Sequence, residues 1–162
     1  MNDGIYLGLG SNLGDREAHL ALAVNGLAER VGDVVVASSL YETPPWGNVD
    51  QPAFLNQVVH IQYDGGSMAL LGLIMALEAE MGRVRAVHWG PRVIDVDILA
   101  FGQEVVSSQR LTLPHPHLAQ RAFVLVPWAE IAPQFFVPGL NKSVLELLHA
   151  LPADEVDAVK KL

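Results

Sequence analysis

The sequence predicts an α+β fold: a ferredoxin-like β-α-β-β-α-β core with an antiparallel sheet, followed by extra C-terminal helices. Three observations predict it. Two segments carry apolar residues at helical spacing, Leu20, Val24, Leu27 and Val31 in the first and Leu70, Ile74, Leu77 and Met81 in the second. Four β-rich runs lie around them, at 5–9, 34–41, 54–63 and 94–99. Their order is strand, helix, strand, strand, helix, strand, which places both helices on one face of the sheet.

Each element has its own signals. Ile5 to Leu9 is expected to form the first strand, ending in the turn Gly10-Ser11-Asn12-Leu13-Gly14. Asp15 and Glu17 favour a helix start by capping and by the helix dipole, and Gly32 stops that helix. Val34 to Tyr41 reads as the second strand, and Thr43-Pro44-Pro45-Trp46-Gly47 as a loop. From Phe54 to Tyr63 the pattern alternates, with Leu55, Val59 and Ile61 on one face and Phe54, Asn56 and Val58 on the other. Asp64-Gly65-Gly66-Ser67 opens the second helix, and Gly82 suits the position just past its end. A loop, Arg83–Arg92, leads into the last core strand. Gly102-Gln103 is expected to turn a hairpin, and Ala119 to Ile131 to form a short helix. Ser143 and Glu146 form a capping box for a final helix that Pro152 ends.

At 162 residues, half of them apolar, the chain is read as one domain, 1–162, with a substantial core and no low-complexity run. It has no cysteine, which removes disulfides, thiolate zinc sites and cysteine nucleophiles. The N-terminus carries no basic, apolar leader, and the longest apolar run, Met68 to Leu77, is too short to span a bilayer. A cytoplasmic protein with no membrane partner is expected.

Asp95 and Asp97 sit two apart in the run Val93-Ile94-Asp95-Val96-Asp97-Ile98-Leu99. In a strand they share one face, about 7 Å apart. Two readings compete, the wet face of an edge strand and a carboxylate pair that holds divalent ions. Charge distribution favours the second: in a chain of net charge −8, the window from Arg83 to Arg121 holds five arginines against three acids. A compact anion site is implied, not a polyanion-binding surface. Carboxylates, a divalent cation and Arg92 behind a Gly-Pro turn read as phosphoryl-transfer chemistry.

Other motifs keep two readings each. Gly8-Leu9-Gly10-Ser11-Asn12-Leu13-Gly14 departs from the dinucleotide fingerprint, since its third glycine comes one place late. There is no Walker A lysine. His115 and His117 lack the further ligands zinc requires, so His115 suits a phosphate contact and His117 a solvated loop. Phe54 and Asn56 together would suit a planar heterocycle; the alternative is a minor-core Phe beside a solvated Asn. Phe123 and Trp89 carry the same ambiguity, and Glu78 is equally readable as helix surface.

On these residues the chain resembles the 6-hydroxymethyl-7,8-dihydropterin pyrophosphokinases of folate biosynthesis. Gly10-Ser11-Asn12, Thr43-Pro44-Pro45 with Phe54-Leu55-Asn56, Gly82-Arg83-Val84-Arg85, the Trp89–Leu99 stretch, Leu113-Pro114-His115 and Arg121-Ala122-Phe123 fall in the family's order. The resemblance implies diphosphate transfer from ATP, the co-substrate, to the pterin's hydroxymethyl group. It implies that Asp95 and Asp97 hold two Mg²⁺ ions and that Arg83 and Arg92 act on the transferring group. Glu78, Arg85, Trp89, Arg92, Ile98, Arg110, Thr112, His115 and Arg121 match the ATP site. Thr43, Pro44, Trp46, Phe54, Asn56 and Phe123 match the pterin site. Pro116 and Met75 stand where some members carry a phenol and an amide. Small-molecule partners, a monomer and no nucleic acid are expected. Two rivals remain, a non-catalytic ligand sensor, for which paired aspartates would be superfluous, and an RNA-binding module, which the acidic balance disfavours.

Overall fold

In the computed structural model, which describes residues 2–44, 52–82 and 93–162, the chain runs as follows. The core comprises β1 (Asn2–Ser11), α1 (Arg16–Arg30), β2 (Val34–Ala37), β3 (Tyr41–Thr43), β4 (Phe54–Tyr63), α2 (Ser67–Glu80) and β5 (Asp95–Phe101). After it come the paired strands β6 (Val106–Ser107) and β7 (Thr112–Leu113), then α3 (Ala122–Ile131). The chain ends with β8 (Phe136–Val137), β9 (Lys142–Ser143), α4 (Val144–His149), α5 (Ala153–Asp157) and β10 (Lys160–Lys161).

The signals read from sequence act where expected. Asp15 accepts a hydrogen bond from the Ala18 N–H at 3.1 Å, which caps α1. The helix ends at Arg30, and just beyond it Gly32 is required sterically: a Cβ there would lie 1.7 Å from the Gln62 carbonyl oxygen of β4. Gly82 has φ +84°, the left-handed conformation that glycine adopts freely at a helix end. Both halves of the Ser143–Glu146 capping box are made.

The sheet is mixed with helices and antiparallel throughout, in the order β10-β3-β4-β1-β5, with β2 also paired to β4. One face packs on α1 and α2, where Leu7, Val59 and Ile98 meet Leu27, Leu70 and Ile74. Among the described residues the other face is covered as well, at one end. There Tyr6, Val58 and Leu99 pack against Leu125, Trp128 and Val144 from α3 and α4. This second core was not foreseen from sequence. A bulge makes it possible: Tyr6 pairs with Ala100 but Leu7 with Ile98, so Leu99 is the extra residue. It lets Leu99 and Ala100 both join the second core and returns Phe101 to the first.

Five further expectations are corrected. The first strand does not stop at Leu9 but continues through Ser11, so Gly10 is a strand residue. The run Val34 to Tyr41 is two strands. Between them Ser38 binds β4 in both directions, its N–H donating to the Val58 carbonyl and its hydroxyl accepting from the Val58 N–H at 3.0 Å, so a side chain replaces a ladder partner and the strand bends. Thr43 belongs to β3, not to the loop. Gly102-Gln103 does form a turn, but among the described residues no strand returns along β5; β6 pairs with β7. The helix over 119–131 is split into a 3-10 turn, Leu118–Gln120, and α3, because Arg121 between them is extended.

Glu130 of α3 ties the bend down, accepting from the Ser39 N–H at 3.0 Å and the Tyr41 hydroxyl at 2.6 Å. Partial burial raises the Glu130 pKa, but hydrogen bonds from Tyr41 and Ser39 and the Lys161 charge outweigh it, so the net shift is downward. A depressed carboxylate pKa stabilises the fold above the unfolded value, about 4.5, and that gain is lost as pH falls through the folded value. Glu130→Gln should therefore lower Tm near pH 7, and the deficit should narrow as pH falls below the unfolded value and on through the lower folded one. A deficit of equal size at pH 7 and pH 3 would contradict the linkage.

Candidate active site

The end of the sheet that α3 and α4 leave uncovered is the floor of a cleft of about 760 Å³, open mouth included. Two rows of cross-strand neighbours make the floor. One runs Asn56, Gly10, Asp95 and the other Val58, Gly8, Asp97, from β4 across β1 to β5. Because strand side chains alternate, all six belong to one face. The two central positions are glycines, so bare backbone separates the amide on one side from the carboxylates on the other. A Cβ at Gly10 would come 3.0 Å from Asn56 Nδ2, and one at Gly8 would come 3.3 Å from Leu99 Cδ2.

On the β4 side, Thr43 pairs with Phe54, and its hydroxyl donates to Asn56 Oδ1 at 2.9 Å within a buried environment. That bond fixes the amide with its oxygen toward β3 and its NH₂ toward Gly10. Pro44, Phe54 and Phe123 complete an apolar wall. This end can sandwich a flat, polar-edged ring between aromatic faces and read its edge with an amide.

On the β5 side, Asp95 and Asp97 both open into the cleft. Between them the Val96 N–H turns outward and donates to Glu78 Oε2 at 2.9 Å. Glu78 is 2% exposed, so it is no surface residue of α2. The carboxylate pair is a hard-oxygen donor set that fits Mg²⁺, an ion that keeps several waters and shares substrate phosphate oxygens. Among the described residues no group of three or more His, Asp or Glu is placed to enclose a metal.

Arg121 projects into the cleft from the start of α3, its guanidinium carbon 5.5 Å from the Phe123 ring centroid. Its Nε is buried without a protein partner among the described residues, as suits an arginine that meets an anion. His115 Nε2 lies 3.9 Å from Asp97 Oδ2, too far for a direct hydrogen bond. Burial, reinforced by the Arg121 and His117 charges and opposed by Asp95, pushes the His115 pKa down to about 4. Its ring is neutral at pH 7. The His117 N–H donates to Nδ1 at 3.3 Å, which assigns the proton to Nε2, facing the carboxylates as a donor.

The cleft thus brings together Thr43, Pro44, Phe54, Asn56, Asp95, Asp97, Arg121 and Phe123. His115 stands beside it. Glu78 lies behind β5, and the Ile98 side chain faces the α1–α2 core. Arg110 is exposed in the turn before β7, and Thr112 pairs with Ser107. Trp46, Arg83, Arg85, Trp89 and Arg92 lie outside the described residues. Sequence reasoning missed Gly8 and Gly10 as floor residues. Their signal was the two-residue spacing inside a strand, read instead as the start of a turn.

Comparison with known proteins points one way. A family model described as 7,8-dihydro-6-hydroxymethylpterin-pyrophosphokinase matches residues 6–133. The 2-amino-4-hydroxy-6-hydroxymethyldihydropteridine pyrophosphokinase of Methylorubrum extorquens is 49% identical over 156 residues, 96% of this chain and 98% of that protein. The Bacillus subtilis enzyme of the same name is 46% identical over 135 residues, 83% of this chain and 81% of its own. Among solved structures, a Plasmodium falciparum HPPK-DHPS triple mutant superposes with TM-score 0.73 at 15% identity. The match covers 92% of this chain but 43% of that longer one, and it speaks to the fold alone.

Proposed function

The chain belongs to the 7,8-dihydro-6-hydroxymethylpterin-pyrophosphokinase family, and from that premise we propose how its cleft divides the work. The reaction is ATP-dependent transfer of a diphosphate to the hydroxymethyl group of the dihydropterin, a step of folate synthesis. The observation that carries the assignment of roles is the two-row floor, which sets a ring-reading amide and a carboxylate pair on opposite sides of two glycines.

The pterin ring lies over Gly10 with Phe123 and Phe54 as its aromatic walls. Asn56, oriented by Thr43, reads its edge, and Pro44 and Trp46 are assigned to the same ligand. Asp95 and Asp97 hold two Mg²⁺ ions. Ions held by this pair would supply charge neutralisation of the triphosphate and so favour attack on phosphorus. Arg121 and the Nε2–H of His115 contact phosphate oxygens, and Arg83 and Arg92 act on the transferring group. Arg85, Trp89, Arg110 and Thr112 complete the nucleotide side. Ile98 serves it through its main chain, and Glu78 by holding β5. Positioning and charge neutralisation suffice for this chemistry, so no covalent intermediate is invoked.

We read the core as ferredoxin-like: the order β5-β1-β4 with β2 and β3 outermost, and α1 and α2 on one face, support it. The whole span, 1–162, is taken as one pyrophosphokinase unit acting as a cytoplasmic monomer. No helix among the described residues is long and apolar enough to cross a membrane.

The identity of the nucleotide product tests the reading. Purified protein with Mg-ATP and 6-hydroxymethyl-7,8-dihydropterin, resolved by anion exchange, should yield AMP and a pterin diphosphate in equal amounts. ADP with a pterin monophosphate would mean attack on the γ-phosphorus and a different kinase. Absence of pterin-dependent ATP consumption would restore the ligand-sensor alternative.

A further inference from the structure

Gly10-Ser11-Asn12 is part of the sequence signature, yet Ser11 and Asn12 line no part of the cleft. Both side chains are buried, Asn12 at 1% exposure. Asn12 Nδ2 donates to the Pro52 carbonyl at 3.2 Å. Four residues on, Arg16 opens α1, and its guanidinium forks. Nη1 donates to the Ala53 carbonyl at 2.9 Å, while Nη2 lies 2.7 Å from Glu42 Oε2.

These partners mark the two ends of one segment. The chain leaves β3 at Thr43 and re-enters the sheet at Phe54, and Thr43 and Phe54 are register partners. Glu42 immediately precedes Thr43, and Ala53 immediately precedes Phe54. Arg16 therefore grips the chain one residue before each of two cleft-lining positions, and Asn12 grips one residue earlier on the returning side. Neither Arg16 nor Glu42 lines the cleft.

We propose that Arg16, with Asn12 beside it, is a positioning residue of the pterin end of the site. It clamps the departing and returning stems of the segment 44–53 at a fixed separation. The physical warrant is the planar guanidinium, whose donors span two acceptors in a set geometry that a lysine ammonium cannot reproduce. Separation of the stems fixes how Thr43 and Phe54 face each other, and through Thr43 it fixes the Asn56 amide. Asp95, Asp97 and Arg121, on the nucleotide side, belong to β5 and the start of α3, whereas Arg16 bonds Glu42 of β3 and Ala53 just before β4. The inference rests on the assignment of Thr43, Phe54 and Asn56 to the pterin.

Steady-state kinetics of Arg16→Ala, Arg16→Lys, Glu42→Gln and Asn56→Ala, each substrate varied in turn, test it. Arg16→Ala should raise KM for the pterin about tenfold, with KM for ATP and kcat within about twofold of wild type. Arg16→Lys, able to hold one stem, should fall between, near threefold. A merely structural role would move both KM values together and would show no such graded rescue. Asn56→Ala must raise the pterin KM by more than Arg16→Ala does. If Asn56→Ala raises it and Arg16→Ala leaves it unchanged, the clamp is wrong and the pterin site stands. If Asn56→Ala leaves it unchanged, the pterin assignment itself fails and the clamp with it. Should Arg16→Ala melt below the assay temperature, Glu42→Gln carries the test, with a selective threefold rise in pterin KM expected and an unchanged value overturning the proposal.

Discussion

Asp97→Asn is expected to lower kcat by about a thousandfold or more, with Asp95→Asn close behind. The substitution keeps shape and hydrogen-bonding size and removes one charge. The Asp97 side chain is 39% exposed at the mouth of the cleft, so this isosteric change should leave Tm within about 2 °C of wild type. What it removes is half of the only carboxylate pair that the described cleft offers to a divalent ion. Residual activity should need far more Mg²⁺, while pterin binding, served from the β4 side, should persist. Near-normal turnover by either mutant at physiological Mg²⁺ would show that the pair does not hold the metals.

Gly10→Val should be nearly as damaging, for the opposite reason. Valine suits a central strand better than glycine does, and the added Cβ meets Asn56 Nδ2 at 3.0 Å and Phe54 Cδ1 at 3.6 Å, both side-chain atoms that can shift. The fold should therefore survive. The cleft floor should not: the branched methyls rise where the ring would lie and push the Asn56 amide off its Thr43 anchor. Pterin KM is expected to rise about a hundredfold, with KM for ATP within about threefold, and Gly10→Ala should be intermediate. A well-folded Gly10→Val enzyme with normal pterin KM would remove the ring from the space above β1.

Much of this was legible in the sequence because the signals were local. Helical spacing at Leu20–Val31 and Leu70–Met81, the Asp15 cap, the Ser143–Glu146 box and the alternation of β4 each depend on a few neighbouring residues. What failed depended on partners distant in the chain. Gly10 reads as a turn until β4 and β5 flank it and Asn56 and Asp95 become its neighbours. The bend at Ser38 needs Val58 to answer its hydroxyl, and Trp128 reads as part of a short apolar helix until the Leu99 bulge presents it with a second sheet face. Glu78 looks like helix surface because nothing near it in sequence announces the Val96 N–H. The resemblance to a known family supplied the pterin, which no spacing could.

The bond between Glu78 and Val96 also bears on what this molecule avoids. β5 ends the sheet, and an end strand offers its outward N–H and C=O groups to any extended chain that drifts past. Here the outward N–H midway between the two aspartates is already answered by a carboxylate oxygen buried beneath it. A trespassing strand would have to evict that oxygen into an apolar setting before forming its own first bond. Among the described residues, the outward N–H of the residue that separates the two aspartates is thereby withheld from any passing strand.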